Sequence, residues 1–220
     1  MILSRILVGL ATLAVLCGCG GTGATTTTTQ SPGLSACQAG SDSVEPGQPL
    51  IEISPSGAAK PSTVTRQARL WCYTTLRVTQ GGSATATFGT VAACVLTQVG
   101  SGVGSMVSRY PANMLFSLTE GAVTCASRTA QGQQAQAQVC GEGTVYLAAT
   151  STTWDATCGA DHMFRIKVYR GSVQVGYAGG KPTLRPFSQL AFDPRSGTGK
   201  ISTGISFSAA EISTFDTLKP

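Results

Sequence analysis

One pattern occurs twice in this chain and restricts its fold more than any other feature. Gly89-Thr90-Val91 precedes the run from Met114 to Val123, and Gly143-Thr144-Val145 precedes the run from Phe164 to Val173. Each copy reads as a Gly-Thr-Val start, a loop, an alternating strand, then a glycine and a small residue before Val. The step from Gly121 to Gly171 is 50 residues. Repetition at such a period implies stacked β units of one architecture.

The strongest strand runs from Phe164 to Val175. Phe164, Ile166 and Val168 point one way while Arg165, Lys167 and Tyr169 point the other, a period-two pattern with one wet face. Gly171 interrupts it, as a bulge or tight bend would. Further strands are expected at Pro49–Ile53, Leu70–Tyr73, Leu76–Val78, Ala84–Phe88, Gly89–Leu96, Met114–Thr124 and Leu190–Phe192, the last taken as the final strand. Gly179-Gly180 closes a hairpin into Thr183-Leu184-Arg185. Gln131–Gln138 shows no apolar face and reads as an exposed loop or strand edge. Only 11% of residues are charged, and Gly, Thr, Ser, Ala and Val are abundant, which favours β structure over a helical bundle.

At the C-terminus the period changes. Ser208 and Glu211 have capping-box spacing, and Ile212, Phe215 and Leu218 recur at helical intervals, so a short helix is expected at 209–218. The fold class is therefore all-β, with stacked or sandwiched antiparallel sheets, an internal β repeat and a short C-terminal helix.

Residues 1–18 read as an export signal of lipoprotein type. Arg5 supplies the positive start, and Ile6 to Leu16 is an apolar run of eleven residues, too short to span a bilayer as a helix. The run ends in Leu16-Cys17-Gly18-Cys19, which resembles a bacterial lipobox with Cys19 as the lipidated residue. Residues 19–36 contain Thr25 through Thr29 and read as a tether. Beyond the anchor stand six cysteines, Cys37, Cys72, Cys94, Cys125, Cys140 and Cys158. An even count in an exported chain favours disulfides, with the pairing left open. An extracytoplasmic, lipid-anchored location at a bacterial membrane follows as the expectation.

The stretch Val139-Cys140-Gly141-Glu142-Gly143-Thr144-Val145-Tyr146, with Ile166 to Val175 and Leu184-Arg185-Pro186-Phe187-Ser188-Gln189, resembles the FecR family of extracytoplasmic β domains in bacterial envelope regulators. Leu115 to Val123 resembles that family's Leu-x-x-Gly-x-Ala/Val segment. The likeness covers roughly 68–193, leaving 37–67 as an N-terminal extension and 194–220 as a tail carrying the helix. Two features depart from the family: Pro186-Phe187-Ser188-Gln189 replaces its usual turn, and the six cysteines lie outside its common pattern. Neither anti-sigma helices nor a membrane span is expected to accompany the domain. What the resemblance implies is a β scaffold that binds something at the envelope.

Candidate chemistry is thin. His162 is the sole histidine and sits with Asp161 in what reads as a solvated hairpin loop, so neither metal nor cofactor is expected. Glu120, Glu142, Asp155 and Asp161 are the carboxylates a wall-polymer hydrolase would need, but nothing in the pattern pairs them. Gly100-Ser101-Gly102-Val103-Gly104 lacks the lysine of a phosphate loop. No catalytic residue is expected. Trp71, Tyr73 and Trp154 suit a sugar-stacking platform, although core filling is the commoner fate of such rings and the one expected here. Basic residues cluster late, and Arg165, Lys167, Tyr169, Arg170 and Arg185 form the candidate binding face for an anionic envelope polymer, with a solvated outer face as the plainer account. The expected role is non-catalytic: binding a partner protein or envelope polymer, with a part in sensing or regulation left open and no nucleic acid among the partners. A structural or assembly lipoprotein is one alternative, and a hydrolase acting on cell-wall polymer is the other.

Overall fold

A computed structural model describes residues 42–47, 51–54, 60–79, 81–100, 102–108 and 113–220. The export signal, Cys19, the tether and Cys37 lie outside the described residues. The strands are β1 Ser43–Pro46, β2 Ile51–Ser54, β3 Ser62–Val64, β4 Ala68–Arg69, β5 Thr75–Val78, β6 Ser83–Phe88, β7 Ala92–Thr97, β8 Gly104–Ser108, β9 Met114–Ser127, β10 Ala135–Val139, β11 Gly143–Leu147, β12 Thr152–Cys158, β13 Phe164–Arg170, β14 Val173–Gly176, β15 Thr183–Leu184, β16 Ser188–Asp193 and β17 Thr198–Thr203. One helix, α1, follows at Ala209–Thr217.

The strands make two sheets. Sheet I has the order β4-β1-β6-β7-β9-β12-β13-β16-β17, all antiparallel. Sheet II has the order β3-β2-β5-β8-β9-β10-β11-β14-β15, antiparallel except for the parallel β9–β10 pair. β9 belongs to both. Its first half pairs with β8 and β10, its second half with β7 and β12. The crossing falls at Gly121, whose φ is +96°. A Cβ there would lie 2.5 Å from the Thr97 carbonyl oxygen and 2.6 Å from the Gly104 Cα, so only glycine lets the strand change sheets. Gly171, at φ +71°, performs the reverse transfer from β13 in sheet I to β14 in sheet II.

The two glycines of the sequence repeat therefore share a role. The two Gly-Thr-Val segments do not. Gly89-Thr90-Val91 is the tight turn between β6 and β7, closed by the Val91 N–H donating to the Phe88 carbonyl at 3.0 Å. Gly143-Thr144-Val145 instead opens β11, with Gly143 packed beneath the Phe164 ring.

The core lies between the sheets. Alternation delivers it: Ala84, Ala86 and Phe88 from β6, Trp154 and Ala156 from β12, and Phe164, Ile166 and Val168 from β13 are all buried. Phe116, from sheet II, stacks between Phe88 and Trp154 of sheet I at centroid distances of 5.5 and 6.3 Å. The Trp154 indole N–H donates to the Ser127 hydroxyl at 3.1 Å, so its polar edge is not stranded. Cys94–Cys125 joins β7 to β9 inside sheet I at a directly opposed pair, with Cα atoms 4.1 Å apart. Cys140–Cys158 ties the β10–β11 turn to the end of β12, linking the sheets. Cys72 is disulfide-bonded too.

Three expectations need correction. Leu70–Tyr73 is not a strand but part of the loop between β4 and β5. Residues 131–138 include most of β10, an inner strand with Ala135, Ala137 and Val139 buried; alanine is too small to signal a buried face. Leu190–Phe192 is not the last strand, because β17 pairs with β16 through six residues. Sheet structure thus extends past residue 193, and β1 to β3 bring the 37–67 extension into the same two sheets.

Candidate functional site

The outward-facing residues of sheet I line up in register. Thr124 on β9 opposes Asp155 on β12, Asp155 opposes Lys167 on β13, and Lys167 opposes Gln189 on β16. Over this rank lies α1. Its start is fixed by a capping box: the Ser208 hydroxyl accepts from the Glu211 N–H at 3.2 Å, and the Glu211 carboxylate accepts from the Ser208 N–H at 2.7 Å. Phe215 is the buried residue of the helix. Its ring stacks on Tyr169 at 4.8 Å, and Phe207 meets both rings edge-on at 5.4 and 5.3 Å. Phe187, held at φ +60°, packs its ring against Tyr169 and Phe207 from the side.

Two ion pairs accompany the rings. Lys167 Nζ lies 2.6 Å from Glu211 Oε1, with side chains only 23% and 31% exposed, while Arg170 meets Asp216 at 2.8 Å in the open. Asp155 is buried. Burial pushes its carboxyl up to about 6, against the attraction of Lys167 and the hydrogen bond that the Thr124 hydroxyl donates to Oδ2 at 3.2 Å. Burial also pushes the Glu211 carboxyl upward, but the hydrogen bond from Lys167 and those from Ser208 outweigh it and hold Glu211 below the usual range.

The expected wet basic face is thus corrected. Lys167, Tyr169 and Arg170 do point away from the core, yet α1 and Phe207 lie over them and supply their carboxylate and aromatic partners. Alternation says which residues leave the core; it does not say what comes to rest on them. Arg165 and Arg185 remain exposed, as does Arg170 despite its ion pair. The signal for the missed partners was present, since Glu211 of the capping box and Asp216 are the acids of the helix.

The remaining candidates are scattered through the fold. His162 and Asp161 occupy the exposed β12–β13 turn, Glu142 the β10–β11 turn, and Glu120 the last position of β9 before its crossing. Of the three aromatic candidates, Trp154 fills the core as expected. Trp71 and Tyr73 do not: they are 42% and 43% exposed in the loop between β4 and β5.

No protein-family model and no curated protein matches this chain. Two crystal structures of a "putative anti-sigma factor" from Parabacteroides distasonis are similar to it, with TM-scores of 0.50 and 0.49 and identities of 14% and 15%. Each match spans 60% of this chain and 60% of the other. At such identity the first likeness extends to the fold alone. Over that 60% of the chain, the strand architecture is one that a protein of that description also adopts.

Proposed function

We propose that this protein is a non-catalytic module of the bacterial cell envelope. It is exported, lipid-anchored at Cys19, and built on a FecR-like β domain that binds a partner protein or envelope polymer in a sensing or regulatory setting. The observation that carries this reading is the cysteine chemistry. Cys94–Cys125, Cys140–Cys158 and the bonded Cys72 leave no free thiol among the described cysteines, and bonds of this kind persist in oxidising compartments. The Leu16-Cys17-Gly18-Cys19 sequence supports the anchor. The fold shared with a protein described as an anti-sigma factor supports the regulatory setting.

The anchor and the binding role are tested together in cells. Cys19→Ser should lose incorporation of labelled palmitate and leave the membrane fraction, while the wild type crosslinks to an envelope component. A Cys19→Ser protein that still takes up label in full would overturn the anchor. Absence of any envelope crosslink would overturn the binding role.

A further inference from the structure

Most rings of this chain are buried in the core or under α1, and Trp71 and Tyr73 stand apart from them. Both flank Cys72, which is buried and disulfide-bonded, so both leave the loop on its solvent side. The loop is fixed in place. The Tyr73 N–H donates to the Ser108 carbonyl at 2.5 Å, the Ser108 N–H to the Thr74 carbonyl at 2.9 Å, and the Trp71 N–H to the Thr74 hydroxyl at 3.3 Å. Tyr73 is held at φ +55°, a left-handed conformation that is an outlier for so bulky a residue. Strain of this sort persists where the surroundings impose it, and it gathers at ligand sites. The Arg69 guanidinium lies over the Trp71 ring at 4.6 Å, which covers one indole face with donors and leaves ring surface to solvent.

An exposed Trp ring under an arginine, with a second exposed ring two residues on, offers apolar faces with a polar rim. A pyranose fits that chemistry: its C–H face stacks on a ring, and its hydroxyls remain wet or accept from the guanidinium. Thr65, Arg66 and Gln67, just before this loop in the chain, are polar and exposed, which suits the hydroxyl-rich rim of a sugar. We infer that Arg69, Trp71 and Tyr73 form a stacking site for the pyranose rings of an envelope glycan. This inference rests on the envelope-binding role proposed above and names its ligand class.

The test uses the lipidated full-length protein in detergent, titrated with a hexamer of β-1,4-linked N-acetylglucosamine and, separately, with dextran. Binding is read by isothermal titration calorimetry in the wild type and both variants; in the wild type a change in tryptophan emission also places the ligand at Trp71, because Trp154 is sealed in the core. Saturable binding of at least one glycan is expected, weakened tenfold or more by Trp71→Ala. Tyr73→Gly removes the ring and relieves the backbone at once, so it should lose binding to the same degree while melting no lower than the wild type. Failure of the wild type to bind either glycan, or equal binding by both variants, overturns the site. If the wild type still crosslinks to an envelope component in that event, the site alone has failed; if it does not, the binding role fails with it.

Discussion

Lys167 stands directly across from Asp155 on the neighbouring strand, yet its ammonium bonds Glu211 of the overlying helix, 2.6 Å away. Among the described residues Asp155 keeps only the Thr124 hydroxyl as a hydrogen-bonded side-chain partner, and it feels Lys167 through space. The lysine thus joins the sheet to the helix, and a carboxylate is left in a covered site.

The pH dependence of Asp155 follows from its raised value. Below its ordinary 3.8 the group is protonated in both folded and unfolded chains and has no effect. Between 3.8 and about 6 the unfolded chain ionises first, and above about 6 the folded protein carries the full penalty. That penalty is roughly 3 kcal/mol at most. Asp155→Asn should therefore stabilise the protein at pH 8 and change little near pH 3. Denaturant unfolding at both values checks it; an identical effect at the two would refute the burial argument.

Removing Lys167 should act in the opposite sense. Lys167→Met takes away the attraction that favours ionised Asp155 and frees Glu211. A loss of about 1–3 kcal/mol is expected at pH 8, shrinking towards pH 5 as Asp155 takes up its proton. Amide exchange across 209–217 should speed up at the same time, because the helix loses its part-buried ion pair.

Helix α1 depends on its cap and one ring. Ser208→Ala should lose about 1 kcal/mol, and Phe215→Ala about 3 kcal/mol or more. In both variants hydrogen exchange should rise in α1 before it rises in β12 or β13. Uniform exchange across these elements would mean that α1 is not a separate unit of stability.

Gly121 and Gly132 form a matched pair for testing the crossing. Both have positive φ, but a Cβ at Gly132 meets nothing within 4 Å, whereas at Gly121 it meets backbone. Gly132→Ala should cost on the order of 1 kcal/mol. Gly121→Ala adds a steric clash with two strands and should cost several times more. Thermal unfolding of the two variants decides the matter.

Much of the fold was legible because strands announce themselves by alternation and by the glycines between them. The Phe164–Val168 stripe, the bend at Gly171 and the capping box at Ser208 and Glu211 all appear where the residues place them. β10 was hidden because Ala and Gln alternate with little hydrophobic contrast. β17 was hidden for the related reason that its residues are largely exposed. The site was less legible. A charged strand face and an acidic helix can each be read locally, but their meeting is a tertiary event 44 residues apart for Lys167 and Glu211. The split between Trp154 and the pair Trp71 and Tyr73 likewise depends on loop geometry, which composition does not encode.

Within each sheet, the strands on one side of β9 all precede it in the chain and those on the other side all follow it. A growing chain that has not yet reached residue 114 would therefore carry two naked inner edges, β7 and β8. Both are covered only when a single segment arrives. Synthesis of this protein has one moment of greatest exposure to stray pairing, and the emergence of Met114–Ser127 ends it for both sheets at once.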